Sequence, residues 1–330
     1  MAVSIADIQK LRKMTGAGLS DCKKALTETE GNFDKAVEII REKGQAIAAK
    51  RSDRETSNGC VLVKYADNFG AIVALKCETD FVANGADYIK LTQDILDAAV
   101  AAKAKSLDEV KELTLADGTK VLDAVVARSG ITGEKMELDG YNFIEGENIS
   151  TYDHMGKHTL CTMVQTNKAA EEQAHAIAMQ VAAMKPMFLD EASVSQEFIE
   201  EEKKVAAEKT KQELVQKAVD AALQKAGINP AHVDSEEHME SNMGKGWITA
   251  EDVAKAKEII ATVSAEKAAN LPAQMIENIV KGRINRIYKE NCLLNQEFIQ
   301  DSKLSVADYL KAADKDLTVV DYKRFSLSAD

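Results

Sequence analysis

The chain has 330 residues, a formal net charge of −12, three prolines and an aromatic content of only 5%. This length predicts two or three compact units, and the composition is typical of a mostly helical, soluble protein. Because phosphate binding depends on clustered Lys and Arg, the acidic balance argues against a general nucleic-acid binder. It favours a protein partner or a small ligand.

The sequence lacks the marks of membrane insertion and secretion. No run of residues is long and apolar enough to span a bilayer, and the start, MAVSIADIQKLRK, has no apolar signal core. We therefore expect a cytoplasmic protein without membrane contact. The cysteines are odd in number, widely spaced and without a C-x-x-C pair, which predicts buried, reduced thiols. They are Cys22, Cys60, Cys77, Cys161 and Cys292.

Residues 4–44 predict three short helices. Ser4 and Asp7 have the spacing of a capping box, and the glycine-rich turn TGAG ends the first helix. Ser20 is expected to cap the second helix, and Gly44 to end the third. The apolar positions of these helices are sufficient only for a miniature core.

The next part of the chain shows the order strand, strand, helix twice. Strand-like runs lie at residues 60–65, 71–77, 141–149 and 158–165. A helical pattern follows each pair, ending near Ala104 and Met184. We interpret this as a weak internal repeat, which predicts two related α+β subdomains.

A long charged helix is predicted at residues 195–227. Its apolar stripe, Phe198, Val205 and Leu214, is too narrow for packing on all sides, which favours a helical hairpin or a coiled coil. Thr249 is expected to cap a later helix. The end of the chain returns to strand and helix patterns, so the helical stretch is predicted to be an insertion in the second subdomain.

Candidate sites of chemistry are weak. The TGAG turn lacks the Gly-Lys-Ser/Thr ending of a phosphate-binding loop, so a turn between packed helices is favoured. His154 and His158 have the spacing of two metal ligands, but Gly156 argues against a shared helical turn, and a third ligand is not evident. We therefore expect no catalytic residue, no metal and no cofactor, with a metal-dependent activity at the two histidines as the alternative.

The segment KCETDFVAN, residues 76–84, carries the most specific question. Thr79 or Asp80 has the position of a helix cap, and Phe81 can be an ordinary core residue of the first turn. The other interpretation is that an acid and an aromatic project into a partner, as interface anchors do. The second strand-to-helix junction has no counterpart of Phe81, and the residues alone leave both interpretations open.

The chain resembles the bacterial elongation factor Ts family in the stretches LRKMTGAGLSDCKKALTETEGNFDKAVEIIREKG, CETDFVA and VKGRINRIYKENCLLNQEFIQD. The first is similar to the family's ubiquitin-associated-like (UBA-like) domain, the second to its core signature and the third to its C-terminal signature. Together with the patterns above, the resemblance implies an α+β protein with four parts. These are a three-helix UBA-like domain at 1–54, core subdomain N at 55–140, core subdomain C with a C-terminal module at 141–190 and 275–330, and an inserted helical arm or coiled coil at 191–274.

The resemblance also implies a function in protein biosynthesis, that of a guanine-nucleotide exchange factor for elongation factor Tu without enzymatic activity of its own. In the family, the residues that match Asp80 and Phe81 insert near the nucleotide and its magnesium ion, and Thr79 and Val82 complete that motif. Weaker matches to partner contacts are Leu19, Ser20, His154, Phe298 and Ile299. Ser20 is smaller than the usual family residue, and Met155 replaces the usual glycine after His154.

The implied partner is elongation factor Tu, both GDP-bound and nucleotide-free, with no direct contact to nucleic acid or membrane. A homodimer and a two-plus-two complex both stay open. The rival hypothesis is an adaptor that binds peptides or ubiquitin-like proteins through the three-helix domain. Exposure of Phe81 is the expectation that the structure can overturn.

Overall fold

A computed structural model describes residues 3–328, and of residues 47 and 48 the backbone alone. The helices are α1 Ile5–Thr15, α2 Leu19–Glu28, α3 Phe33–Lys50, α4 Asp80–Ala83, α5 Ala86–Ala102, α6 Leu107–Glu112, α7 Val121–Thr132, α8 Glu171–Met184, α9 Gln196–Lys225, α10 Glu236–Gly244, α11 Ala250–Ala269, α12 Ala273–Asn291 and α13 Val306–Ala313. The strands are β1 Asn58–Ala66, β2 Phe69–Cys77, β3 Met136–Glu145, β4 Ile149–Asp153, β5 Leu160–Thr166, β6 Glu297–Phe298, β7 Asp301–Ser305 and β8 Val319–Ser326. Helices beside small antiparallel sheets confirm the predicted α+β class.

The chain forms two compact units. The first comprises Met1–Leu189 with Glu297–Asp330, and the second comprises Asp190–Gln296. The second unit extends beyond residue 274, where the predicted arm ends, because α12 packs along α9. The finer domain boundaries, and the likeness of α1 to α3 to a ubiquitin-associated domain, stay predictions.

In the first unit, α1 to α3 enclose a small core of their own. The Ser4 hydroxyl accepts a hydrogen bond from the Asp7 N–H at 3.1 Å, as the capping-box spacing predicts, and α1 ends at Gly16 with φ of 69°. The expectation that Ser20 caps the second helix is wrong. Helix α2 begins at Leu19, so its N-cap is Gly18, which has no side chain to accept a capping hydrogen bond.

The expectation that Gly44 ends the third helix is also wrong, since α3 continues to Lys50. Gly44 instead lies where α3 crosses α7. A Cβ atom on Gly130 of α7 would stand 2.5 Å from the Gly44 Cα. Here the glycines allow two helix backbones to approach closely, a purpose that a local pattern cannot reveal.

Two three-stranded sheets have the same construction. Their orders are β1-β2-β3 and β4-β5-β8, so in each a hairpin receives its third strand, antiparallel, beside the second. The predicted strand at 141–149 is partly wrong, because β3 already ends at Glu145 and completes the first sheet. Gly146, with φ of 146°, leads into the turn that separates it from β4.

The middle strand of the first sheet is buried on both faces, which explains the continuous apolar run at residues 71–75. One face of the first sheet, including Val73 and Leu75, packs on α5, where Ile95 is fully buried. The other face, including Ile72, packs on Met163 of the second sheet. This double support makes the end of β2 a rigid base for the chain that follows it.

The second unit consists mainly of α9 packed against α11 and α12. The Thr249–Asp252 capping box at the start of α11 is present, as the spacing predicts. The predicted stripe is partly wrong, because Val205 is 57% exposed while Ile199 and Ala206 are buried. The buried residues of an apolar cluster in this unit are Val219, Leu223, Ile228, Val233, Met239, Ile248 and Ala256.

The cysteine prediction is confirmed, since all five thiols are buried and free. Burial raises the pKa of Cys60 to about 12 and that of Cys292 to about 11. Because the thiolate is the reactive species, these groups are chemically quiet in the folded protein. Within residues 3–328, no helix combines the length and apolarity that crossing a membrane requires.

Candidate partner-binding site

The segment after β2 forms a single helical turn, α4, at residues 80–83. Thr79 is its N-cap, with φ of −124° and ψ of 153°, and the Thr79 hydroxyl accepts a hydrogen bond from the Val82 N–H at 3.4 Å. At the other end, the Asn84 side-chain amide donates to the Asp80 carbonyl at 2.8 Å. Residues of the motif therefore form the hydrogen bonds at both ends of α4. Of the two predicted caps, Thr79 and Asp80, Thr79 is confirmed.

Phe81 is 86% exposed, the highest value among the exposed large apolar side chains of the described residues. Its neighbour Val82 is half-buried and packs on the core of the first sheet, while Ala83 is 8% exposed. Successive residues of the turn thus point in different directions. The interpretation of Phe81 as a core residue is wrong, and the expectation of exposure is confirmed.

Glu134 holds the turn from the start of the next strand. Its carboxylate accepts from the Thr79 hydroxyl at 2.6 Å and from the Thr79 backbone N–H at 3.1 Å. Glu134 directly follows Gly133, which closes α7 with φ of 72°. The side chain that fixes the first residue of the site is thus 55 positions away in sequence.

Glu78 makes the matching contact in the opposite direction. Its carboxylate accepts from the Lys135 backbone N–H at 2.6 Å and from the guanidinium groups of Arg54 and Arg51 at 2.8 and 3.3 Å. The hydrogen bond from Lys135 and the charge of Arg54 hold the pKa of Glu78 below its usual value. Glu78 therefore links the turn to the segment that follows α3.

A shallow depression lies beside the turn and includes Asp80, Lys157 and His158 in its lining. Asp153 accepts from the His158 ring, and the His154 ring nitrogen lies 3.0 Å from the Tyr152 hydroxyl. The fold thus brings the acid of the motif together with the loop that follows β4. Between β4 and β5, that loop carries His154, Lys157 and His158 and no acidic residue, and it is largely exposed.

The loop carries a backbone feature that bears on its sequence. Met155 has φ of 57° and is 70% exposed. The left-handed conformation costs a residue with a side chain roughly 1–2 kcal/mol, which glycine avoids. A glycine at this position, which the resemblance described above implies for related chains, would avoid that cost.

The weaker predicted contacts divide into exposed and buried groups. Leu19 is 49% exposed, Ile299 is 42% exposed, and Ser20 and His154 are also exposed. Phe298 is different, because it is 2% exposed and its ring stacks on Tyr309 with the centroids 4.0 Å apart. Phe298 is thus buried in the free protein, and Ile299 is the accessible residue of that pair; a partner contact at either stays a prediction.

The two histidines do not form the centre of a metal site in the described part of the chain. Residues 3–328 contain no group of three or more His, Cys, Asp or Glu side chains arranged to hold a metal ion. His154 begins a short 3-10 turn that ends at Gly156, and His158 lies outside it, two residues before β5, so the two histidines do not share a helical face.

Comparison with known proteins decides the family. The family model described as "Elongation factor TS" matches residues 78–227 and 215–329, a span that begins within the motif itself. The chain belongs to the elongation factor Ts family. Curated relatives named elongation factor Ts are 68% identical in Bacteroides fragilis, 66% in Bacteroides thetaiotaomicron and 43% in Porphyromonas gingivalis, and each alignment covers 100% of both chains. Membership in the elongation factor Ts family identifies a translation elongation factor.

Sequence reasoning found the exposed part of the site but missed its supports. Glu134 and Glu78 lie among many other acids, and neither has a local pattern that marks a contact. Only the pairing of β2 with β3, which places Cys77 opposite Met136, brings these two segments of the elongation factor Ts chain together. That register depends on long-range packing.

Proposed function

We propose that this chain is a guanine-nucleotide exchange factor, which binds GDP-bound elongation factor Tu, dislodges Mg²⁺ and promotes GDP release so that GTP can bind. The single observation that carries the proposal is the exposure of Phe81 beside Asp80 on a turn that is hydrogen-bonded at both ends. An aromatic held in this way outside the core is suited to a partner's pocket.

Exchange of this kind requires differential binding and no bond chemistry. If GDP weakens the binding of the factor to Tu, the factor weakens the binding of GDP to Tu by the same free energy. Full burial of a phenylalanine side chain gains roughly 1.5–3 kcal/mol, and each 1.4 kcal/mol is about tenfold in affinity. Because Phe81 is 86% exposed in the free protein, nearly all of this gain is available on binding.

The magnesium ion is a suitable target for such a factor. Mg²⁺ demands near-ideal octahedral geometry and is usually held by phosphates, waters and one or two protein oxygens. A small displacement of those ligands therefore weakens its binding strongly. The chain needs only to stabilise the displaced arrangement, with Thr79, Asp80, Phe81 and Val82 as the contacting residues.

The test is the rate at which fluorescent GDP leaves cognate elongation factor Tu in the presence of the purified chain. Phe81→Ala should slow release by roughly ten- to a hundredfold, which corresponds to the loss of the burial gain. Met187→Ala is the matched control, because Met187 is 62% exposed and belongs to no proposed contact. An unchanged circular dichroism spectrum would show that the variants fold. Failure of the wild-type chain to speed release would refute the proposal.

The adaptor alternative is favoured by one observation, the exposure of Met14 (59%) and Leu19 (49%) in the three-helix part. Leu19→Ala separates the two functions. For an exchange factor it should raise the concentration that gives half-maximal exchange and leave the maximal rate nearly unchanged. For an adaptor it should abolish partner binding, and Phe81→Ala should leave that binding intact. Light scattering of the complex with Tu then decides between one-plus-one and two-plus-two assembly.

A further inference from the structure

We propose that Glu134 is a positioning residue for exchange, which fixes the orientation of the Phe81 turn before the partner binds. The inference rests on the proposed exchange function and deepens it. Its basis is a pair of glutamates where the β2–β3 ladder ends. The carboxylate of each accepts a hydrogen bond from a backbone N–H of the opposite segment.

The ladder ends at a defined place. Cys77 of β2 lies opposite Met136 of β3, and beyond this pair the chain on one side turns into α4. Continued antiparallel register would place residue 78 opposite residue 135 and residue 79 opposite residue 134. These are the positions between which the carboxylates make their contacts.

The contacts are reciprocal. The Glu78 carboxylate accepts from the Lys135 N–H at 2.6 Å, and the Glu134 carboxylate accepts from the Thr79 N–H at 3.1 Å. A regular antiparallel ladder would hydrogen-bond only one of these two successive pairs through the backbone, because hydrogen-bonded and non-hydrogen-bonded pairs alternate. Here side-chain oxygens bond at both positions, which ties residues 78 and 79 to residues 134 and 135 while the backbone turns outward.

Glu134 can serve as a support because its own backbone is held. The Glu134 N–H donates to the Thr132 hydroxyl at 3.2 Å, and the Ser129 hydroxyl donates to the Glu134 carbonyl at 2.5 Å. Ser129 is 2% exposed at the end of α7. The carboxylate therefore extends from a fixed point and reaches Thr79 with both oxygens, at 2.6 and 3.1 Å.

The turn needs an external support because it is short. A single helical turn of four residues has no stability of its own in water. The cap bond inside α4, from the Val82 N–H to the Thr79 hydroxyl, is long at 3.4 Å. Thr79 is exposed, so its contact with Glu134 adds little to the core and acts chiefly on the direction of the turn.

A fixed direction matters because binding must otherwise order the turn. Ordering a mobile segment reduces the free energy left for association, and preorganisation removes that loss. The exposed ring of Phe81 can insert into the partner efficiently only if it is held in one orientation. Glu134 thus acts through Thr79 and does not itself need to touch the partner.

The experiment compares fluorescent-GDP release from elongation factor Tu for four full-length variants. Glu134→Ala should slow release about tenfold, and Thr79→Val should have a similar effect, with their combination no worse than either alone. Glu147→Ala is the control for loss of one exposed negative charge in the same unit.

The decisive measurement is Glu134→Ala in the Phe81→Ala background. The turn then no longer carries the side chain that supplies most of the burial gain, so the additional effect of Glu134→Ala should be much smaller than in the wild-type background. An equal slowing with and without Phe81 would overturn the proposal, because Glu134 would then act on the fold or on the partner directly. A wild-type rate for Glu134→Ala, together with a slow Phe81→Ala, would overturn the positioning role and leave the exchange function standing. No acceleration by the wild-type chain would instead refute the exchange function itself.

Discussion

Replacing Gly130 by alanine tests whether the close crossing of α3 and α7 holds the three-helix part against the first sheet's subdomain. The Cβ of the new side chain would stand 2.5 Å from the Gly44 Cα, well inside van der Waals contact. Both neighbours are helix backbone and cannot rotate away. The helices must therefore separate, and packing along the crossing is lost.

Two opposing contributions set the change in the free energy of unfolding for Gly130→Ala. Alanine is favoured over glycine inside a helix by about 1 kcal/mol, and overpacking of a tight contact costs roughly 1–3 kcal/mol. The substitution Gly282→Ala in α12 should show only the gain in helix propensity, because a Cβ there meets no atom within 4 Å. The difference between Gly130→Ala and Gly282→Ala thus isolates the packing term, about 1–3 kcal/mol. Gly44→Ala should fall between them, since its Cβ would lie 3.2 Å from the Val126 carbonyl oxygen.

Urea unfolding measures these differences. Far-UV circular dichroism follows Gly130→Ala, and the fluorescence of Trp247, the single tryptophan, reports on the second unit and hence on Gly282→Ala. We expect Gly282→Ala to raise the free energy of unfolding and Gly130→Ala to leave it unchanged or lower it. Equal stabilisation by the two variants would show that the crossing tolerates a methyl group, and would refute the reasoning.

Two further predictions concern titratable groups. The pKa of Glu78 is lowered in the folded state, so its stabilising contribution is complete above the ordinary pKa of about 4.5 and is lost as pH falls through the lower folded value. Glu78→Gln should therefore lower stability near pH 7 and flatten the acid limb of a stability–pH curve, while an unchanged limb would contradict the proposed contacts. The five buried cysteines should react with a thiol reagent at pH 8 only after denaturation, because burial raises their pKa values where a shift is resolved. Fast labelling of the native protein would contradict their burial.

Local chemistry determines the parts of this fold that could be predicted from the sequence. The Ser4 cap, the Thr249–Asp252 capping box and the hairpin of β1 and β2 all depend on residues a few positions apart. The end of the third helix shows the opposite case. Gly44 serves a helix crossing, so its role depends on a neighbour that local spacing does not identify.

The candidate site divides in the same way. The position of Thr79 as a cap and the unusual pairing of an acid with an aromatic were visible in the sequence. The residues alone left a core position for Phe81 open, and the expectation of its exposure rested on the resemblance to the elongation factor Ts family. The supporting carboxylate of Glu134 was not visible. It becomes a neighbour only through the register of β2 with β3, which is set by burial on both faces of the sheet.

The second sheet provides an internal comparison for the Phe81 turn. There too a strand, β5, ends beside the start of the third strand, and Asn167 takes the position after the last ladder pair. The Asn167 side chain donates to the Asp316 carbonyl at 2.7 Å and accepts from the Thr318 N–H at 2.9 Å, and its backbone N–H donates to the Thr318 carbonyl at 3.1 Å.

This second junction is thus closed by backbone pairing and an amide, and the next residue, Lys168, pairs with Asp314 at 2.7 Å. The same topology is complete there without an outward aromatic. The fold therefore does not require Phe81 at the first junction, where the carboxylates of Glu78 and Glu134 make the contacts beyond the last ladder pair. An exposed phenylalanine that the architecture does not need, on a turn held by carboxylate contacts that the other repeat does without, supports the proposed contact of Phe81 with a partner.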